Sequence, residues 1–280
     1  RGMSKTHEVV LDWSGAESAK DVLAAHEEPV VALAAPQWNC ATRAFTMLSA
    51  FDANVLPEVE RQIHRVWQCL ERHRELFGMY GEWANGNHRN AWWSRENSFR
   101  YSYHGRSVWI SNEDHHPDAA WYLFARSGDR LFLKDAIGCS RAIRDVATTM
   151  FNPVYPDRVG GSARHHHTIW LGMGDAGHSG LEGFLMDWIL TGDTRSRQMA
   201  LLQGEFFRKI QTGHWRYLSN PLSGLSRLYL ETGDPVYKAK ADWIATTFAT
   251  GHKLWDGTGD GYFTYATEAI RWYAEIAPAA

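Results

Sequence analysis

The chain has 280 residues, a formal net charge of −3 and three cysteines. That length suits one large domain or a piece of a longer protein, and the near-neutral charge without a basic run speaks against nucleic acid and anionic membranes as partners. No apolar stretch reaches membrane-spanning length, and the odd set Cys40, Cys69 and Cys139 argues against a disulfide framework.

Thr6 to Trp13 reads as a short β segment, the last strand of a domain otherwise outside this sequence. On that reading residues 1–14 are the remnant of an N-terminal β-domain and residues 15–280 form the main domain. A short helix is expected over 15–26, ended by Glu28-Pro29, followed by an irregular stretch over 29–56. Val59, Ile63, Val66 and Leu70 keep helical spacing between Pro57 and Gly78. Helices follow at 118–127 and then through Phe132, Ala136, Cys139, Ile143, Val146 and Met150. Further helices are predicted at 178–191, around Met199, Leu202 and Phe206, at 221–232, through Tyr237, Ala241, Ile244 and Phe248, and finally through Tyr262 to Tyr273. The total is about nine helices by apolar periodicity.

Three helix breaks share one wording: Ser127-Gly128-Asp129, Thr191-Gly192-Asp193 and Thr232-Gly233-Asp234. A glycine just past a helix end takes the left-handed conformation at little cost, and the aspartate after it caps the next helix. Repeated helical hairpins of this kind predict an all-α fold, an (α/α) toroid or an incomplete α/α barrel.

Two long connections, 78–117 and 151–177, hold few periodic apolar positions and many polar and aromatic ones, which is where function is expected. The chain carries 14 Trp and 14 His. Trp fills cores, and it also stacks on sugar faces. The first connection contains Tyr80, Trp83, Asn87, His88, Arg89 and Trp92, then Tyr103 and His115. The second contains Arg164, His165, His166 and His167, then Asp175 and His178. If His178 opens a helix, Glu182 lies one turn on and faces the same way. In an extended run His165 and His167 point to one side and suit a divalent cation, Zn²⁺ or Ca²⁺, but no third ligand is specified. The same residues also read as polar loop, and Asp175 as a helix cap.

Gly2-Met3-Ser4-Lys5-Thr6-His7-Glu8 is similar to the segment that ends the N-terminal β-domain of YetA-like proteins and exo-acting rhamnogalacturonan lyases. Glu28 to Leu33 with Pro36-Gln37-Trp38, the Tyr80-Gly81 loop with Asn87-His88, Asn112 to His115, and Arg164 to His167 leading to His178-Ser179-Gly180-Leu181-Glu182-Gly183 resemble later landmarks of that family. The resemblance implies an (α/α) toroid lyase domain flanked by β-domains in the full-length chain.

The residue types fit such chemistry independently. A uronate lyase removes the weakly acidic C5 proton, so an Arg, an amide or a cation must neutralise the carboxylate. A His or Tyr takes the proton, and another protonates the leaving oxygen. The expected catalytic set is His166, His178, Tyr80 and His88. The expected substrate-binding set is Arg164, Arg89, Asn87, Trp83, Trp92, His165, His167, Glu182, Tyr103 and His115. The expected partner is an acidic oligo- or polysaccharide, a substrate class that favours a secreted or periplasmic location. An α/α glycoside hydrolase would instead use two opposed carboxylates, for which Glu82, Glu113, Asp114, Asp175 and Glu182 are available. A non-catalytic glycan-binding domain is the third reading.

Overall fold

A computed structural model of the chain describes residues 4–15, 18–28, 30–76, 78, 87–89, 92–93, 98–99, 108–110, 115–163, 174–211, 215–251 and 263–277. The described residues form ten α-helices: α1 (Ala19–Glu27), α2 (Pro36–Thr42), α3 (Pro57–Leu76), α4 (His116–Ser127), α5 (Arg130–Ala142), α6 (Glu182–Thr191), α7 (Thr194–Arg208), α8 (Trp215–Thr232), α9 (Pro235–Gly251) and α10 (Phe263–Ala274). Four short strands, β1 (Asn87–Arg89), β2 (Trp92–Trp93), β3 (Ser98–Phe99) and β4 (Val108–Ile110), make two antiparallel pairs, β1 with β4 and β2 with β3.

The recurrent break folds the same way three times. Gly128, Gly192 and Gly233 take φ of 74°, 78° and 69°. The Ser127, Thr191 and Thr232 hydroxyls donate back to the carbonyls of Leu123, Asp187 and Leu228. Those same hydroxyls accept the N–H of Asp129, Asp193 and Asp234. Each aspartate carboxylate then accepts a first-turn N–H of the following helix, from Leu131, Arg195 and Val236. The result is three antiparallel hairpins, α4–α5, α6–α7 and α8–α9. Contacts of α4 with α6, α7 with α8, and α8 with α10 join them.

Two apolar clusters hold the hairpins. Phe45, Trp67, Trp121, Phe124, Phe132, Leu133 and Met186 fill the space among α3, α4, α5 and α6. Leu181, Phe206, Phe207, Leu218, Leu222, Leu225, Ile244 and Ala269 fill the space among α6 to α10. The three cysteines are free thiols. No helix among the described residues is long and apolar enough to cross a membrane.

Several expectations are corrected. Residues 4–14 contain no strand; among the described residues no strand pairs with this segment, and Val9, Leu11 and Trp13 are exposed. It is tied down instead by the Ser4 and Thr6 N–H groups, which donate to the carbonyl and carboxylate of Asp145 at 3.0 and 2.9 Å. The stretch 29–56 includes α2, because Pro36 supplies a pre-set φ at its first position and Arg43 ends it in the left-handed region. Helix α8 starts at Trp215 rather than at Pro221, so the proline sits inside it and gives no N–H to the Tyr217 carbonyl.

Candidate active site

The described residues bring one polar stripe into the apolar interior from four helices. On α4 it is His115, at the N-cap, with Asp118 and Tyr122, spaced three and four apart so that they share a face. On α8 the stripe runs Tyr217, Asn220, Ser223 and Arg227. Glu182, the first residue of α6, and Glu268 and Trp272 of α10 complete it. His115, Asp118, Glu182, Asn220, Ser223, Arg227 and Trp272 are all buried.

His115 holds an unusual backbone for a residue with a side chain, φ 53° and ψ 33°. That left-handed N-cap turns its imidazole in toward α6 and α10, where Nδ1 lies 3.1 Å from Asp118 Oδ2 and 4.0 Å from Glu268 Oε2. Burial works against a charge on His115. The Asp118 hydrogen bond and charge, with Glu268 and Glu182 behind them, outweigh it and push the imidazolium up to about 10. Glu182 accepts the Ser223 hydroxyl and, at 3.1 Å, the Leu181 N–H. Burial, then repulsion from Asp118 and Glu268, pushes its carboxyl up to about 7 against the pull of His115. Burial also pushes the Tyr122 phenol well above its ordinary value, Arg227 opposing and Asp118, Glu182 and Glu268 adding to it. Tyr122 is therefore a neutral O–H at any working pH. Its oxygen, Asn220 Nδ2 and Trp272 Nε1 are buried and meet no hydrogen-bond partner among the described residues. Such atoms are rare in a folded interior, and a site for a polar ligand accounts for them.

Arg227 stacks over one face of Trp272 at 4.2 Å, with Arg271 also over that ring at 4.1 Å. Its terminal nitrogen pairs with Glu231 at 3.1 Å.

A second acid–base group meets the same wall one turn earlier. Asp175 Oδ1 accepts the Gly177 N–H and lies 2.9 Å from His178 Nδ1, while its Oδ2 accepts the Tyr217 hydroxyl at 2.6 Å. An ionised carboxylate only accepts, so Asp175 holds the His178 imidazole with a hydrogen on Nδ1. Backbone contacts brace this turn: Asp175 donates to the Ser162 carbonyl, and Ser162 donates to the Ser179 hydroxyl at 2.8 Å. The brace depends on Gly161 and Gly174 lying face to face, where a Cβ on Gly161 would sit 2.6 Å from the Gly174 Cα.

Asp175 caps, as one reading held, but it caps a single 3₁₀ turn over Ala176–His178 and not α6. His178 therefore does not open α6. Ser179 is extended, because its hydroxyl is committed to the Asp175 carbonyl, and α6 begins at Glu182. His178 and Glu182 do not share a helix face; they reach successive turns of α8 through Tyr217 and Ser223.

Of the predicted site residues, His115 and Glu182 are brought together, and His178 sits in the 3₁₀ turn that packs against α8. Asn87, His88 and Arg89 lie on β1 and Trp92 on β2. Tyr80, Trp83, Tyr103, Arg164, His165, His166 and His167 lie outside the described residues. Sequence reasoning missed Asp118, Tyr122, Tyr217, Asn220, Arg227 and Glu268. The available signal was a run of polar residues at helical spacing inside otherwise apolar helices, as in Asn220, Ser223 and Arg227.

Another tight charged group is structural. Asp135, 1% exposed, accepts from the Trp67 indole at 3.1 Å, from His116 and from Arg74. Burial alone would raise its carboxyl, but His116 and then Arg74 hold it well below the usual carboxylate range. Its oxygens are filled by donors.

No known protein-family model matches the chain, and no curated protein matches it.

Proposed function

We propose that the chain is the catalytic α/α-toroid domain of a polysaccharide lyase that cleaves a uronate-containing polymer by β-elimination. The observation that carries this reading is the polar group that Tyr122 on α4, Asn220 and Arg227 on α8, and His178 in the turn packed against α8 bring into the interior. It supplies the four group types that the reaction needs. The hairpin series suits a toroid, whose interior is where such a stripe would meet a sugar chain.

The roles follow from chemistry. Asn220 and Arg227 pair with the uronate carboxylate and stabilise the enolate-like charge, the guanidinium through a rigid fork. His178, oriented by Asp175, takes the C5 proton on Nε2. Tyr122, a phenol kept neutral by burial, protonates the leaving oxygen. The predicted contributions of Tyr80, His88, His166, Arg89 and Arg164 belong to the same proposal, as does an acidic polysaccharide as partner.

The test is a screen of the purified chain against pectic rhamnogalacturonan, ulvan, alginate and glycosaminoglycans, read by the ultraviolet absorbance of the new C4=C5 bond. One polymer should give that absorbance. On it, Tyr122→Phe and His178→Ala should each lower turnover at least about a hundredfold, with circular dichroism unchanged. A second reading, a glycoside hydrolase, is favoured by the close approach of the Asp118 and Glu182 carboxylates. New reducing ends without absorbance would establish it and remove the lyase.

A further inference from the structure

We infer that His115, Asp118 and Glu182 form a binding site for a divalent cation of the zinc or manganese kind, at the meeting point of α4 and α6. The ligand atoms of the three residues all lie within 4.8 Å of one another, and all three side chains are buried. Metal–ligand bonds of about 2.0–2.2 Å bring ligands to within roughly 4.4 Å of each other, so small side-chain rotations close the site.

Charge points the same way. Asp118 and Glu182, with Glu268 4.0 Å from the His115 ring nitrogen, place three carboxylates around one imidazole. Carboxylates held this close beside a buried imidazole favour a cation between them, and a divalent ion supplies it. Arg227, the cation across the stripe, places one terminal nitrogen on Glu231 and lies over the face of Trp272, so its charge is already shared.

A second observation points to a ligand at this place. The Tyr122 hydroxyl, one turn beyond Asp118 on the same face of α4, is buried and has no partner among the described residues. A water or substrate oxygen on the ion would be the acceptor it lacks. Glu182 is already oriented by Ser223 and the Leu181 N–H, the outer-shell support that ligating carboxylates need.

The other geometric cluster, His116, Asp135 and Cys139, provides a contrast. There the Arg74 guanidinium and the Trp67 indole occupy the carboxylate, and a cation would have to displace a cation. The imidazole ligand selects the class of ion: nitrogen with carboxylates suits Zn²⁺ or Mn²⁺, whereas Ca²⁺ prefers oxygen alone.

The proposal stands apart from the lyase reading, because binding is measured without substrate. Chelator-treated protein is titrated calorimetrically with ZnCl₂, MnCl₂ and CaCl₂. One Zn²⁺ or Mn²⁺ should bind per chain, raise the melting temperature with concentration, and outcompete Ca²⁺. His115→Gln, Asp118→Asn and Glu182→Gln should each weaken binding at least about tenfold. His116→Gln and the double variant His165→Ala/His167→Ala should bind as the parent does. Should a site variant fail to fold, Ser223→Ala serves instead, since it removes only the support of Glu182 and should weaken binding severalfold. The inference is overturned by absence of saturable Zn²⁺ or Mn²⁺ binding, by preference for Ca²⁺, or by binding that survives Glu182→Gln and disappears in the His165/His167 double variant.

Discussion

Asp135→Asn tests the reading of the Asp135 group as a structural hub. The wild-type carboxylate is 1% exposed and takes hydrogen bonds from Trp67, His116 and Arg74, with the Cys139 thiol 3.5 Å away. Asparagine keeps the volume but offers one carbonyl, and turns an NH₂ toward donors. The Arg74 guanidinium, only 12% exposed, then keeps Glu71 as its acidic partner. Removing one member of a buried pair costs about 3–5 kcal/mol, and the remaining Glu71 places the loss near about 3. For a chain of this size that is a fall in melting temperature of roughly 6–12 °C, read by circular dichroism at neutral pH. The pH dependence supplies a second check. A carboxylate held below its unfolded value contributes stability that is present above that value and is lost as pH falls toward the folded one. The gap between wild type and variant should therefore narrow on acidification below about pH 4. A loss under about 1 kcal/mol at neutral pH, the size of an ordinary surface change, would refute the hub.

Asp187 gives the opposite sign. Burial raises its carboxyl to about 6, against hydrogen bonds from Ser196 and Thr191, so its stabilising contribution is present below the unfolded value of 3.8 and is lost as pH rises through about 6. Asp187→Asn should match wild type at acid pH and exceed it by about 3 kcal/mol at neutral pH in urea unfolding, and a variant that is relatively weaker at neutral pH would contradict the assignment. Gly161→Ala should destabilise by about 1–3 kcal/mol or more, because the new Cβ meets backbone at Gly174 and the Phe206 ring and neither yields cheaply. Gly192→Ala meets nothing within 4 Å, so it should cost only the left-handed backbone strain, about 1 kcal/mol, and an equal loss at both positions would undo the argument about the brace behind His178.

The sequence by itself determined the hairpins. The Ser/Thr-Gly-Asp break contains its own chemistry: a glycine that bends back, a hydroxyl and a carboxylate that close both helix ends. Local patterns of this kind need no distant partner, which is why Gly128, Gly192 and Gly233 and the periodic runs of α3, α5, α7 and α9 were legible. The segment Thr6 to Trp13 was misread for the complementary reason, since a strand exists only through a neighbour, and its backbone meets Asp145 instead. The sequence marks His115, His178 and Glu182 as candidate site residues, but as members of loops and of one helix face. Tertiary structure alone decided that His115 and Glu182 share a buried charge group, and that Asp118, Tyr122, Asn220 and Arg227 belong to the same stripe. The sequence shows each of these as a single polar residue in an apolar helix. Which way that residue points depends on how α4, α6, α8 and α10 rotate against one another, and long-range apolar packing, as in the cluster that holds Leu181, Phe207 and Leu218, sets that rotation.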